Sequence, residues 1–306
     1  MKQQTRTAKL MLIAAMLIFG TVGLFVRLID LPSSLIAFVR GAIGGLLLLP
    51  VLAVKNRQTE KKGPAPKKEW LLLALAGALI GLNWVLLFEA YRHMSVTVAT
   101  LIYYLAPAFV ILLTPFVLSE KPPKLSLILC IPALIGMVPV SGILNSGVRT
   151  DGSGLLIALG SAICYASAIL INKKIVSIPT FERTVLQLFA AAAVVLPYVL
   201  VTGGLKPLFT ADAKTLVLLL TLGAVHTGAA YALYFGAIPK MPPQDAALLS
   251  YLDPVIAILL SALILKEGFG WPELIGTVLI LGAAIVNELF SAKAQTPAAD
   301  PASGND

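Results

Sequence analysis

The chain has 306 residues, of which 58% are hydrophobic and only 12% are charged, and its mean hydropathy is +0.92. Soluble domains carry roughly 25% charged residues, so this composition excludes a soluble protein and indicates an integral membrane protein. The net charge of +8 does not indicate nucleic-acid binding, because the distribution of basic residues between the loops accounts for it.

Ten apolar stretches follow one another along the chain, each close to the roughly 20 residues that a helix needs to cross a bilayer. We therefore predict an all-α integral membrane protein with ten transmembrane helices. The first stretch is too long for the core of a signal peptide and has no small-residue cleavage site after it, so we predict an uncleaved helix. The predicted spans are 9–28, 34–54, 70–91, 97–118, 124–143, 153–172, 181–202, 214–236, 245–265 and 271–290.

Basic residues in the loops fall mainly on one side of this arrangement. If both termini are cytoplasmic, the inner segments hold 15 Lys and Arg residues and the outer loops hold 6. This bias predicts that both termini face the cytoplasm. The segment 291–306 is polar and rich in alanine and proline, which predicts a disordered cytoplasmic tail.

The chain contains an internal repeat with an offset of 147 residues. Ala99–Glu120 and Ala246–Glu267 share 10 of 22 residues at this offset, and further matches continue in other helices. We therefore predict two five-helix units, 1–147 and 148–290. Because five is odd, the second unit enters the membrane from the opposite side. The result is an inverted repeat, which is typical of secondary transporters with a site near the bilayer midplane.

Asp253 lies deep in the ninth predicted span and directly precedes Pro254, whereas the first unit has Ala106 before Pro107. Carboxylates at membrane depth are costly and mark ion or substrate pathways, and broken helices are tolerated where they are buried or line water. We predict that Asp253 is a proton-coupling carboxylate and that Pro107 and Pro254 are structural. A structural carboxylate bonded to an arginine or a helix end is the alternative for Asp253.

Aromatic and amide side chains concentrate on the third, fourth, eighth and ninth predicted spans. Trp84 and Tyr231 occupy equivalent positions in the two units and lie too deep for an interfacial belt, so they favour a cavity wall that stacks on an organic substrate or cation. His226, near the middle of the eighth span, is either part of this site or a packing residue. The predicted substrate-binding residues are Asn83, Trp84, Tyr103, Tyr104, His226, Tyr231, Tyr234 and Tyr251.

Four stretches resemble the EamA-like ten-helix branch of the drug/metabolite transporter superfamily. They are Leu35–Pro50, Ala99–Glu120, Ala246–Glu267 and Gly276–Val286. The resemblance implies a basket of two inverted repeats in which the first, third, fourth, sixth, eighth and ninth helices surround the cavity. Arg40 falls outside those helices, so the resemblance favours a structural role for it. The family often has Glu at the position of Asp253.

The same resemblance implies a carrier, often an exporter, of amino acids or other small metabolites across the bacterial inner membrane, driven by a gradient rather than by ATP. We therefore expect a secondary transporter that exports small, amino-acid-like solutes by alternating access. A multidrug exporter for aromatic cations is the alternative, and an intramembrane enzyme or scaffold is disfavoured because the sequence has no paired catalytic set.

No nucleotide-binding, metal-ligand, nucleophile or redox motif is present in the sequence. We therefore expect no enzymatic activity, cofactor or metal. The expected partners are a small-molecule substrate and membrane lipids, with no nucleic acid. A proton is the candidate coupling ion, and the oligomeric state is left open between a monomer and a weak dimer.

Overall fold

The structure, a computed structural model, describes residues 2–58, 65–140, 152–241 and 249–295. Every regular element within these ranges is a helix, as the apolar stretches predict. The elements are α1 (Lys2–Gly20), α2 (Val22–Leu28), α3 (Ser33–Gln58), α4 (Lys67–His93), α5 (Val96–Tyr103), α6 (Ala106–Leu118), α7 (Lys124–Val140), α8 (Gly152–Lys173), α9 (Thr180–Thr202), α10 (Lys206–Thr210), α11 (Ala213–Gly223), a π-helix (Ala224–Ala229), α12 (Ala230–Ala237), a 3-10 turn (Ile238–Lys240), α13 (Leu252–Leu263) and α14 (Trp271–Gln295).

Seven helical segments in the described part of the chain are long and apolar enough to cross a membrane. They are Arg6–Leu28, Ser33–Val54, Lys67–His93, Val96–Leu118, Gly152–Lys173, Thr180–Thr202 and Ala213–Ala237. Three shorter apolar helices, Lys124–Pro139, Leu252–Leu263 and Trp271–Asn287, coincide with the fifth, ninth and tenth predicted spans. The start of the ninth predicted span, up to residue 248, lies outside the described residues.

The end of the chain differs in part from the predicted tail. Helix α14 continues to Gln295, whereas the tail was predicted to begin at residue 291. The apolar pattern stops near 290, but a helix propagates into the following Ala and Lys residues because they favour helical backbone. The rest of the predicted tail, 296–306, lies outside the described residues.

The helices pack in pairs through small residues. Helix α4 packs against both α8 and α9, α3 packs against α9, and α7 packs against α14. At Gly81 of α4, an added Cβ would lie 2.9 Å from the carbonyl oxygen of Ala191, so these two backbones approach closely. Close approach at glycine is typical of helix pairs within a bilayer, where van der Waals contact drives association.

Large apolar side chains cover the outside of the bundle. Phe116 is 84% exposed, Val201 is 87% exposed and Leu71 is 71% exposed, while Phe88 and Leu101 are fully buried. In water such a surface would be an aggregation hazard, but in a bilayer it meets lipid chains. The polar groups at membrane depth are instead turned towards the inside of the bundle, where they form the site described next.

Candidate functional site

The two segments with repeated prolines are both interrupted at equivalent positions. Helix α5 ends at Tyr103 and α6 begins at Ala106, while α13 begins just after the turn at Tyr251. Pro107 lies in the first turn of α6, and Pro254 lies in the first turn of α13. Proline has no N–H group, so it releases the carbonyl one turn earlier and favours a helix start.

These interruptions bring Tyr104 and Asp253 together. The Tyr104 hydroxyl donates a hydrogen bond of 2.7 Å to Oδ2 of Asp253. The two residues are 149 positions apart in the sequence, so the bond links distant parts of the chain. It also gives Asp253 a neutral hydrogen-bond partner at membrane depth, which reduces the cost of burying the carboxylate.

Three tyrosine rings lie next to one another beside this hydrogen bond. The Tyr103 ring centroid lies 5.9 Å from that of Tyr104 and 5.3 Å from that of Tyr165 on α8. Tyr103, Tyr104 and Asp253 are half-buried, and Tyr165 is 37% exposed. These side chains therefore remain accessible to a small molecule, which a ligand site requires.

Arg40, on α3, reaches the same region. Its guanidinium carbon lies 4.5 Å from the ring centroid of Trp84 and 5.7 Å from that of Phe88, and its Nε donates a 2.9 Å hydrogen bond to Oγ1 of Thr227. The charge interacts electrostatically with Tyr103, Tyr231 and Asp253. The contact with Thr227 agrees with the expected bracing role, but the other contacts place Arg40 among the predicted site residues.

His226 and Thr227 lie in the π-helix between α11 and α12. The wider turn lets the Thr227 hydroxyl donate to the carbonyl of Leu222 while it accepts from Arg40. His226 Nε2 lies 2.7 Å from Oγ1 of Thr21, and the imidazole packs 4.5 Å from the ring of Phe25. π-helical turns are frequent at functional sites because they re-aim side chains. Here the turn directs Thr227 to the arginine and His226 to the break between α1 and α2.

A second aromatic group connects α1, α9 and α12. Tyr231 packs 5.4 Å from Phe19 and 6.0 Å from Phe235, measured between ring centroids. Tyr234 lies 5.1 Å from Phe235 on the same helix. Edge-to-face pairs at these distances pack well, so this group forms a rigid wall. Tyr231 borders the Arg40 charge, whereas Tyr234 packs against the α1 side of the bundle.

The structure thus brings together six of the predicted residues and separates others from them. Arg40, Trp84, Tyr103, Tyr104, Tyr231 and Asp253 form one electrostatic and aromatic cluster. Asn83 points instead to α8, where its Nδ2 donates to the carbonyl and the hydroxyl of Ser161. Tyr251 packs against the main hydrophobic core, as Tyr103, Tyr104 and Tyr231 also do. Two members, Tyr165 and Thr227, were not predicted; Tyr165 lies outside the third, fourth, eighth and ninth spans, on which the predicted residues concentrate.

A narrow gap lies beside the cluster, between α6, α7 and α14. Its walls include Tyr104, Pro107 and Cys130, and they are mostly apolar. Pro107 therefore contributes to a packing surface, in line with its predicted structural role.

One end of the bundle is held by a network around Glu267. Its Oε2 accepts a 2.7 Å hydrogen bond from the backbone N–H of Val96 and another from the Ser261 hydroxyl. Its Oε1 lies 3.6 Å from Arg27 of α2. Ser261 in turn accepts a 2.8 Å bond from the hydroxyl of Thr97. The network joins α2, α5 and the end of α13, so it closes the space between them.

A polytopic helical protein with a charged and aromatic cluster between its helices belongs to the class of membrane solute carriers. The chain belongs to the EamA-like transporter family, whose model matches residues 6–142 and again residues 152–288. This confirms the family resemblance carried by the four sequence stretches. The protein is therefore a multi-pass membrane transporter.

Relatives with curated names agree with this family. The chain is 31% identical to the uncharacterized transporter YxxF of Bacillus subtilis (strain 168) over 84% of this chain and 82% of that protein. It is 28% identical to Protein PecM of Dickeya dadantii (strain 3937), over 71% and 73% of the two chains. It is 27% identical to Protein RarD of Salmonella typhi, over 85% and 86%.

The fold is also similar to that of a solved crystal structure. The two superimpose with a TM-score of 0.62, covering 95% of this chain and 99% of that chain, at 20% sequence identity. The overall helical arrangement is therefore shared, although the two sequences have diverged widely.

Proposed function

We propose that the protein is a secondary transporter that exports small organic metabolites, of amino-acid-like chemistry, across the bacterial inner membrane. It works by alternating access, with ten transmembrane helices arranged as two inverted five-helix repeats, 1–147 and 148–290. Both termini lie in the cytoplasm, as the basic residues of the loops favour.

Three observations support the repeat. The family model matches the two halves separately, and ten apolar helical segments coincide with the predicted spans. The helix pairs are also those expected of a two-fold axis in the membrane plane: α3 packs on its counterpart α9, and α7 packs on its counterpart α14. Such repeats rock against one another around a central site.

The single observation that carries the proposal is the hydrogen bond between Tyr104 and Asp253. It joins equivalent interruptions of the two halves at membrane depth, and it is bordered by tyrosine rings and by Arg40. Interrupted helices that meet at a polar, partly accessible point are the usual construction of a transporter binding site.

Asp253 also provides the candidate for proton coupling. A half-buried carboxylate at membrane depth can bind a proton in one half of the cycle and release it in the other. The titratable or charged groups that interact electrostatically with it are Arg40, Tyr91, Tyr103, Tyr104, Tyr165 and Tyr231.

The test uses the purified full chain in proteoliposomes with a broad metabolite panel and an imposed pH gradient. Wild type is expected to accumulate at least one amino-acid-like solute in a gradient-dependent manner. Asp253→Asn should abolish the dependence on the gradient, whereas Tyr104→Phe, which keeps the carboxylate, should retain it. Unchanged gradient dependence in Asp253→Asn would remove the proton-coupling role, and no transported solute would overturn the proposal as a whole.

A multidrug exporter of aromatic cations is the second candidate. The combination of Asp253 with the rings of Tyr103, Tyr104 and Tyr165 favours it, because a carboxylate and aromatic faces both attract organic cations. Resistance to aromatic cations without any amino-acid phenotype, measured in a strain that expresses the protein, would select this function over metabolite export.

A further inference from the structure

Arg40 holds a positive charge in the middle of the bundle in a fixed orientation. The side chain is only 6% exposed, and its guanidinium carbon lies over the rings of Trp84 and Phe88. Its Nε is already used in the hydrogen bond to Thr227. The two remaining nitrogens, Nη1 and Nη2, form the end of the guanidinium fork, whose spacing matches the two oxygens of a carboxylate.

This charge has no protein counter-ion in contact with it. Within the described residues, the ion pairs at side-chain contact are Arg27–Glu267 and His93–Glu89, and neither includes Arg40. Nη1 and Nη2 make no hydrogen bond to a described residue, and neither is among the fully enclosed polar atoms. A buried charge without a partner costs several kcal/mol. The geometry therefore points to an anion that binds the Nη end of Arg40.

Asp253 supplies the opposite charge in the same cluster of charged and aromatic side chains. Arg40 and Asp253 do not form an ion pair, yet each interacts with the other electrostatically. Oδ2 of Asp253 accepts from Tyr104. The rings of Tyr103 and Tyr231 lie in the field of both charges.

We propose that Arg40 and Asp253 form a split-charge site for zwitterions, in which Arg40 binds the carboxylate of the solute and Asp253 binds its ammonium group. This deepens the proposed transport function and rests on it. An amino acid satisfies both charges at once. An amine leaves Arg40 without an anion, and a carboxylic acid leaves Asp253 facing an added negative charge, so each binds less tightly.

Three probes of matched size test the charge requirement. They are phenylalanine, 2-phenylethylamine, which lacks the carboxylate, and 3-phenylpropionate, which lacks the ammonium group. Binding is measured by the thermal shift of the purified full chain in detergent, and transport by counterflow in proteoliposomes. We expect wild type to prefer phenylalanine to either analogue by about tenfold or more, because each analogue leaves one buried charge unpaired.

Substitutions at Arg40 and at Asp253 test the contribution of each charge separately. Arg40→Gln should abolish the preference for phenylalanine over the amine, and Asp253→Asn should abolish the preference over the acid. Arg40→Lys keeps the charge but loses the fork, so an intermediate preference is expected. Gln187→Leu is the matched control: Gln187 occupies the position of Arg40 in the second unit and is hydrogen-bonded to Asn172. It should leave the preference unchanged.

The outcomes distinguish this inference from the transport function. The split-charge site would be wrong if wild type bound and transported the amine or the acid as well as phenylalanine. It would also be wrong if wild type bound none of the three probes but transported another solute that lacks one of the two charges. In both cases the transporter assignment would stand. The wild-type comparison decides this even if Arg40→Gln does not fold. If no solute of the panel moved at all, the proposed function itself would fail.

Discussion

The substitution Glu267→Gln tests whether the network at one end of the bundle controls access to the site. Glu267 accepts from the first backbone amide of α5, at Val96, and from Ser261, and it faces Arg27 at 3.6 Å. The glutamine keeps the size and one acceptor but removes the charge. A charge-assisted hydrogen bond is about twice as strong as a neutral one, and a negative charge at a helix N-terminus contributes about 0.3–1 kcal/mol.

The ion pair with Arg27 contributes less than these bonds. The Arg27 side chain is 37% exposed, and Oε1 of Glu267 makes no hydrogen bond although Arg27 is near. Partly exposed pairs are worth about 0.2–1 kcal/mol. We therefore expect Glu267→Gln to weaken the closed arrangement by about 1–2 kcal/mol, which corresponds to about a 5- to 30-fold shift in the population of open and closed forms.

The opposite end of the bundle offers a matched control. At the repeat offset, Lys174 corresponds to Arg27 and Glu120 corresponds to Glu267. Both are exposed, and they are not an ion pair in this structure. If the two repeats exchange conformations, Lys174 and Glu120 approach each other in the alternate form. Glu120→Gln should then favour the arrangement seen here, opposite to the effect of Glu267→Gln.

The assay is labelling of a single cysteine at position 100 by a membrane-impermeant maleimide. Thr100 is 4% exposed in α5, and cysteine is close to its size. The native Cys130 and Cys164 are replaced by alanine in every variant. The reference is the single-cysteine protein without either substitution. Relative to it, labelling from the end that holds Glu267 should rise about 5- to 30-fold in Glu267→Gln and fall in Glu120→Gln. Equal labelling in all three proteins, or a shift in the same direction for both variants, would refute the reasoning.

Two further substitutions test the contacts around the site. Gly20→Ala places a Cβ 2.6 Å from that of Ile256 and 2.8 Å from the carbonyl oxygen of Asp253. This overpacking should lower the free energy of unfolding by about 1–3 kcal/mol and reduce the transport rate. An unchanged melting temperature and transport rate would contradict this expectation. Asn83→Ala removes two hydrogen bonds to Ser161, so stability should fall by about 1–3 kcal/mol while the relative rates for different solutes stay the same. A changed solute preference would instead place Asn83 in the binding site, as the sequence predicts.

Much of the helical framework can be predicted from composition and length alone. A polar backbone in lipid must satisfy its own hydrogen bonds, so long apolar stretches have little choice but to be helical. The duplicated prolines also predicted where two of these helices are interrupted, at Tyr104 and Tyr251. Proline acts locally, through its missing N–H group, and therefore its effect is visible in the sequence.

The direction in which single polar residues point could not be predicted in the same way. Arg40 was expected to brace the helices, because the family map puts its helix outside the cavity. Its rotation is set by packing: an added Cβ at Gly41 would lie 3.1 Å from the carbonyl oxygen of Leu188. The π-helix at Ala224–Ala229 is a second case, since one extra residue in a turn leaves no mark on an apolar pattern. Both depend on contacts between distant segments.

The two central charges come from different halves of the chain, and this bears on how substrate binding drives the transport cycle. In the proposed arrangement Arg40 belongs to the first repeat and Asp253 to the second, and their counterparts, Gln187 and Ala106, carry no charge. A ligand shifts a conformational equilibrium only by the difference in its affinity for the two forms. If the proposed site is correct, a zwitterion held by both charges would span the moving interface, so its affinity would change when the repeats rock. A solute that contacts only one of the charges would move with one repeat and bind both forms alike. The same split that selects for zwitterions would therefore couple their binding to the opening and closing of the site.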